Sequence, residues 1–217
     1  MATPKSQRIG IWIIAIVLTV GTLGSFLVMG LSVGNQKIDA VQQQKKMDEL
    51  QKLQIDYQSK VDAQTKELSD KYYSKFSQYS SLPAVFDTSL ITSVAKKDLL
   101  VGDGEEINDQ TDFNVYYIGW NPSGVVFDKS IENGALKASL SINTLIPGFK
   151  EGIVGMKMGG VREIAIPSDK AYGETGAGEN IPPNTPIKFI VMAISKPESL
   201  EIPDELQQYY QAIGTGV

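Results

Sequence analysis

Hydrophobic and polar positions divide the chain into three textures. From Ile9 to Gly34 run 26 residues without a charge, dominated by Ile, Val and Leu. As a helix this run is about 39 Å long at about 1.5 Å per residue, more than the roughly 30 Å hydrocarbon core of a bilayer. It also exceeds the roughly 7 to 15 apolar residues of a cleaved signal peptide. A retained transmembrane helix is therefore expected at 9–34, within an N-terminal segment 1–34. Between Gly34 and Pro83 there is neither glycine nor proline, and Gln, Lys, Asp, Glu and Ala dominate. That absence of breakers predicts one long helix, a stalk occupying 35–82. Its thin apolar seam (Met47, Leu50, Gln54, Tyr57, Val61, Gln64, Leu68) alternates steps of three and four, the coiled-coil spacing. Glutamine at Gln54 and Gln64 interrupts the seam, so a solvated spacer is weighed above a homodimer through the stalk helix.

At the end of the predicted helix, Tyr72, Phe76 and Tyr79 share one face, an aromatic patch too large to leave in water. It is expected to dock on a folded domain. A candidate mate is a short helix at Pro203–Ala212, in a C-terminal tail 198–217, where Leu206, Tyr209 and Tyr210 line one side. From about Val85 the pattern shifts to short alternating runs punctuated by Gly, Pro, Asn and Asp, which predicts strands. Phe113, Val115 and Tyr117 alternate with Asn114, Tyr116 and Ile118, so Tyr117 shares a face with core residues. Asn121–Gly124 marks a tight turn. Further strands are predicted at 125–127, 138–142, 161–166 and 187–194. Pro147–Met156 reads as a short helix, with proline early and Phe149, Ile153 and Met156 at helical spacing. The fold class is α+β, a mainly antiparallel sheet packed on one short helix.

Composition narrows the chemistry. The chain has no cysteine and no histidine, which removes disulfides, thiol nucleophiles, most zinc sites and any Ser-His or Cys-His pair. A formal charge of -5 offers no footprint for nucleic acid. Lys5 and Arg8 before the apolar run favour an inside N-terminus and an extracytoplasmic C-terminal domain, although Lys37, Lys45 and Lys46 after it weaken the asymmetry.

Several motifs then fall in register: Tyr117-Ile118-Gly119, Val126-Phe127-Asp128, Ile146-Pro147-Gly148-Phe149 with Glu151-Gly152, Met156-Lys157-Met158-Gly159, Ala171-Tyr172-Gly173, and Ile181-Pro182-Pro183-Asn184-Thr185 with Phe189. In order and spacing they resemble the FKBP-type peptidyl-prolyl isomerases over roughly Asp98 to Pro197. The resemblance implies an FKBP-like antiparallel sheet wrapped on one short helix, an isomerase domain at 83–197, and an enzyme that rotates X-Pro bonds without metal or cofactor. It places a shallow pocket for the substrate's proline ring at Tyr117, Phe127, Leu145, Ile146, Phe149, Tyr172 and Phe189, with Ile181 closing one rim. The Ile146 N–H is implied to donate to the substrate carbonyl, the Tyr172 hydroxyl to reach the peptide, and Asp128 to sit beside the twisting amide. Leu136 stands where an aromatic often lines the pocket, Phe149 where tryptophan is common, and Ala177 and Asn180 at loop positions that are frequently bulkier. Combined with the apolar run, this implies a single-pass cell-membrane protein that assists the folding of exported or membrane proteins. Its partners are proline-containing polypeptides and, through residues 9–34, the lipid bilayer.

Other signals are weaker. Gly173–Gly178 imitates a phosphate loop but leads into Pro182-Pro183 instead of a helix N-terminus. Asp103, Glu105, Glu106 and Asp109 lack calcium-loop spacing and read as a solvated turn. Taken alone, Asp128 is more often a turn-capping carboxylate than a catalytic one. The rival function is a tethered chaperone or adaptor that grips proline-containing chains without turning them over.

Overall fold

The computed structural model describes residues 36–141 and 145–212, the side chains from Val41 onward. The expected apolar span 9–34 lies outside the described residues, among which no helix is long and apolar enough to cross a membrane. Helix α1 is Gln36–Ser77, 42 residues. Its exposed side carries pairs one turn apart, such as Asp56 with Lys60 at 2.8 Å and Gln58 donating to Asp62 at 2.8 Å, which support a helix lacking breakers. The chain forms two compact units, one of residues 36–63 with 199–212 and the other Gln64–Glu198.

In the first unit the seam of α1 meets the chain's own C-terminal segment. Leu50 and Gln54 are buried, as is Leu206 of α3 (Asp204–Ala212), and Glu205 lines a hollow with Lys46, Leu50 and Leu53. The Tyr210 hydroxyl is held above its usual pKa by burial, then by Tyr209 and by Tyr57 of α1. Two expectations change here. This part of the seam, weighed as a homodimer face, is occupied by residues of the same chain. The C-terminal helix belongs with this stretch of α1 and not with the Tyr72–Phe76–Tyr79 patch.

The second unit is built on an antiparallel sheet. Its strands are β1 (Ala95–Leu100), β2 (Phe113–Trp120), β3 (Val126–Lys129), β6 (Leu140–Ser141), β7 (Val161–Ile166) and β8 (Ile187–Ser195), in the order β1-β7-β8-β2-β3 with β6 also on β2. A separate hairpin joins β4 (Ile131–Glu132) and β5 (Ala135–Leu136) through Asn133 and Gly134, both at positive φ. Strand alternation then gives the sheet two buried faces. Phe113, Val115, Phe189, Val191, Ile164 and Ile166 point to one, where α2 (Pro147–Ile153) packs through Phe149 and Ile153. Tyr116, Ile118, Trp120, Ile190 and Met192 point to the other, covered by Leu68, Tyr72, Tyr73 and Phe76 from the end of α1 and by Tyr79 just beyond it. The aromatic patch thus docks on the folded domain, with the sheet as its mate.

Helix α2 lies directly on β7. A Cβ at Gly148 would stand 2.3 Å from Ile166 Cγ2, and one at Gly152 2.3 Å from Ile164 Cγ2, so only glycine permits this approach. The end of α2 is capped by a buried arginine: Arg162 Nη1 donates to the carbonyls of Gly152 (3.0 Å) and Val154 (3.1 Å), and its Nη2 to that of Gly155 (3.2 Å). Asp98 balances the charge, accepting from Arg162 Nε at 2.6 Å. The cap satisfies carbonyls a helix end otherwise leaves open, and puts a cation where the helix dipole favours one.

Candidate functional site

Four aromatic rings converge on the α2 side of the sheet. Phe189 of β8 sits at the centre, with ring centroids 5.0 Å from Phe149, 5.7 Å from Phe127 and 6.1 Å from Tyr117, all in edge-on contact. Such T-shaped pairs are favoured by the aromatic quadrupole and hold each ring in one orientation. Register explains how they meet. Gly119 of β2 lies opposite Phe189, and a Cβ there would stand 2.5 Å from Phe189 Cε1 and 2.7 Å from Phe127 Cε2. The missing side chain of Gly119 is the space the rings fill.

The β2–β3 pairing steps from Gly119↔Asp128 to Trp120↔Val126, so Phe127 is an extra residue on β3. A bulge of this kind breaks the strict alternation of side chains. Phe127 packs on the core cluster while its neighbour Asp128 reaches the same side, accepting a short hydrogen bond from the Tyr117 hydroxyl. Asp128 also accepts from the Lys129 N–H at 2.7 Å, and Lys137 Nζ stands 3.9 Å from Oδ1. The Tyr117 hydroxyl is held well above its usual pKa, first by burial, then by the hydrogen bond to Asp128 and that carboxylate's charge. Tyr172, which follows a 3-10 turn at Ser168–Lys170, is raised by burial and by the same carboxylate. Two neutral hydroxyls and one carboxylate therefore share the mouth of the aromatic cluster, with Tyr172 a third exposed.

Leu145 and Ile146 pack partly buried against this core, and Ile146 is the extended residue just before α2. Its carbonyl accepts from the Phe149 N–H at 3.1 Å, whereas its own N–H has no partner among the described residues. Ile181, expected at a rim, is almost fully buried in the core cluster, and its carbonyl accepts from Ala177 N–H at 2.8 Å. Gly176, at φ +66°, allows that loop to close: a Cβ there would lie 2.4 Å from the Ile181 carbonyl oxygen.

Leu136 departs from expectation. It is buried on the opposite side of the sheet, with Phe76, Tyr116 and Trp120, and its N–H donates to Ser69 Oγ at 2.9 Å. The Asn133–Gly134 turn folds the β4–β5 hairpin toward α1. The residue of this stretch on the pocket side is Leu140, which packs on the Phe149–Phe189 core. Sequence reading passed over the Asn-Gly dipeptide, the strongest short-range hairpin signal. Gly119 was quoted only as part of a motif, and Lys137 was not singled out.

Comparison with known proteins gives consistent matches. Residues 104–194 match the family model described as FKBP-type peptidyl-prolyl cis-trans isomerase. An FK506-binding protein of Neisseria meningitidis serogroup A is 39% identical over 100 residues, covering 46% of this chain and 92% of the relative. A probable FK506-binding protein of Corynebacterium glutamicum is 38% identical over 99 residues, covering 45% of this chain and 82% of the relative. A solved structure of a peptidyl-prolyl cis-trans isomerase from Pseudomonas syringae pv. tomato is 28% identical, covers 58% of this chain and 90% of that one, and has a TM-score of 0.42.

Proposed function

Because this chain belongs to the FKBP-type peptidyl-prolyl cis-trans isomerase family, we propose that it rotates X-Pro bonds of polypeptide clients in the hollow bounded by Tyr117, Phe127, Phe149, Tyr172 and Phe189. The observation that carries this reading is the convergence of three aromatic rings on Phe189, with Asp128 and two hydroxyls at the mouth. Amide rotation faces a barrier of about 18 to 20 kcal/mol, because twisting removes the C–N double-bond character. Bringing the uncatalysed tens to hundreds of seconds down to milliseconds needs roughly 5 to 7 kcal/mol. No covalent step is required. A twisted amide has less charge separation than a planar one, so a dry aromatic cradle disfavours the planar form relative to the transition state. In this reading the Ile146 N–H donates to the substrate carbonyl, Tyr172 orients the peptide, and Asp128 faces the twisting amide. Leu145 and the Ala177–Ile181 loop shape the edge. Binding is then stronger for the rotated geometry than for the ground state.

The test is acceleration of cis/trans exchange in a short X-Pro peptide by the full chain. Asp128→Ala and Tyr172→Phe should each lower kcat/KM by about tenfold, in line with one lost polar contact of roughly 1.4 kcal/mol. Full rate in both variants would remove these residues from the site. Peptide binding without acceleration would favour the tethered chaperone.

The charge-free run 9–34 behind Lys5 and Arg8 supports a further part of the reading: a single-pass anchor holding an extracytoplasmic domain at a membrane surface, where exported or membrane proteins fold. Release of the intact chain by alkaline carbonate, or protection of the domain from protease on intact cells, would overturn the anchor or its orientation respectively.

A further inference from the structure

Leu136 and Lys137 come out on opposite sides of the chain. Leu136 is buried on the α1 side of the sheet with Phe76 and Trp120, while Lys137, the next residue, brings its Nζ to 3.9 Å from Asp128 Oδ1 at the mouth of the aromatic cluster. The stretch expected to line the pocket with Leu136 therefore presents a cation there instead. Its backbone is fixed to the site. The Lys137 N–H donates to the Ser130 carbonyl at 2.8 Å, the Ser130 N–H to the Tyr117 carbonyl at 2.8 Å, and the Tyr117 N–H to Ser130 Oγ at 3.0 Å. Ser130 is itself buried, so this link between Lys137 and the strand that carries Tyr117 is shielded from water.

Asp128 does not depend on Lys137 for its orientation. Its carboxylate accepts from the Tyr117 hydroxyl and, at 2.7 Å, from the Lys129 N–H, whereas 3.9 Å is too long for a hydrogen bond. Among the described residues Lys137 is the one cation within ion-pairing distance of Asp128, and its Nζ donates no hydrogen bond. Both side chains are half-exposed, so a peptide at the mouth meets them directly. Alone, Asp128 would repel an anionic side chain brought beside it. With Lys137 in place the two charges largely offset each other, and the three ammonium donors are open to a second carboxylate. When a prolyl ring sits in the hollow, the residue X before it is the first outside, next to the amide that Asp128 faces.

We propose that Lys137 determines the preference for residue X, admitting X-Pro bonds in which X is Asp or Glu. This rests on the isomerase reading above and names a substrate class for the same site. Removing the ammonium takes away an attraction and uncovers a repulsion. Each is the modest effect of a solvent-exposed pair, and together they amount to roughly three- to tenfold in kcat/KM.

The test uses the full chain and three otherwise identical short peptides with Glu, Ala or Lys before proline, their cis/trans exchange followed by NMR. In Lys137→Gln the ratio of kcat/KM for the Glu peptide to that for the Ala peptide should fall roughly three- to tenfold, and the ratio for Lys over Ala should rise. Lys137→Arg should keep the wild-type ratios, and Lys137→Glu should exceed the glutamine variant in both directions. Ratios cancel any loss of folded protein. In about 1 M salt, where the Debye length is about 3 Å, the difference between wild type and Lys137→Gln should shrink. Glu-to-Ala ratios within twofold of wild type in Lys137→Gln would overturn the proposal even if every rate fell together, because that pattern belongs to a residue that only positions Asp128. A ratio change that salt leaves untouched would also overturn it, by assigning the effect to shape. Should the wild type prove inactive on all three peptides, the isomerase reading fails, and Lys137 is judged by their affinities in fluorescence anisotropy. A selective loss for the Glu peptide in Lys137→Gln supports its role, and unchanged Kd ratios refute it.

Discussion

Replacing Gly119 by alanine separates the cost of crowding the pocket from the cost of unfolding the domain. Gly119 does not have a positive φ, so its backbone accepts alanine and only space is at issue. The new methyl would begin 2.5 Å from Phe189 Cε1 and 2.7 Å from Phe127 Cε2. Carbon atoms rest at about 3.5 to 4.0 Å, so one or both rings must retreat by about 1 Å. Overpacking of this size costs about 1 to 3 kcal/mol, partly offset by the roughly 0.4 to 1 kcal/mol that removing a glycine takes from unfolded-chain entropy. A net loss of about 1 to 2 kcal/mol leaves a domain of ordinary stability folded. The retreating rings are the pocket's centre and one wall, and a misplacement of about 1 Å can cost on the order of 100-fold in rate. Urea unfolding and prolyl isomerisation on a short peptide, measured on the same preparation, check both halves. Activity equal to wild type, or activity lost only in proportion to unfolded protein, would refute the claim that Gly119 makes the room in which the pocket's rings are placed.

Other substitutions probe the scaffold. Leu136→Ala should cost about 2 to 4 kcal/mol in urea unfolding, through a cavity against Phe76 and Trp120, yet leave kcat/KM of the folded protein unchanged; a specific rate loss would return Leu136 to the pocket. Arg162→Met should destabilise by about 2 to 4 kcal/mol, because the carbonyls of Gly152, Val154 and Gly155 lose their donor in a buried place; a melting temperature matching wild type would deny it the capping role. Tyr116 is fully buried with no hydrogen-bond partner for its hydroxyl among the described residues, and burial, followed by Tyr72, pushes its pKa to about 12 from 10. Since the folded value is the higher, this stabilisation is complete below pH 10 and is lost as pH rises from 10 to 12, roughly 3 kcal/mol at about 1.36 kcal/mol per pH unit. Tyr116→Phe should therefore be neutral or slightly stabilising at pH 7 and flatten the alkaline fall in urea midpoints; an unchanged alkaline slope would contradict it.

Periodicity and breakers made most of the domain legible. Val161–Ile166 was bounded to the residue between turn signals, and the start of α1 was found within one residue because nothing breaks it, whereas its end at Ser77 falls five residues before the expected 82. Strand β1 was missed: its run Ala95–Leu100 carries Lys96, Lys97 and Asp98 and lies at an edge, where half-exposed polar residues hide the alternation. The C-terminal helix was paired with the wrong stretch of α1, because helical spacing identifies an apolar side without saying what covers it. At the site, the motifs placed Tyr117, Phe127, Phe149 and Phe189 in one neighbourhood, which the structure brings together. Leu136 went astray because the Asn133–Gly134 turn reverses the chain, and a count of residues from Asp128 cannot register that reversal.

The two faces of β2 connect these observations. Tyr117 and Gly119 belong to the pocket side, while Tyr116, Ile118 and Trp120, one peptide away, belong to the face closed by the end of α1. Because a strand's side chains have period two, the residues beneath the pocket and those gripping the helix alternate along a single eight-residue strand. Closing the second face therefore does more than hide aromatic surface. It fixes the strand from behind, so that Tyr117 can hold Asp128 and Gly119 can leave room for the rings of Phe189 and Phe127. An isomerase whose catalysis consists of fitting a twisted amide more closely than a planar one depends on such rigidity, and here the buttress is supplied by residues 68–79, within the same unit as the sheet.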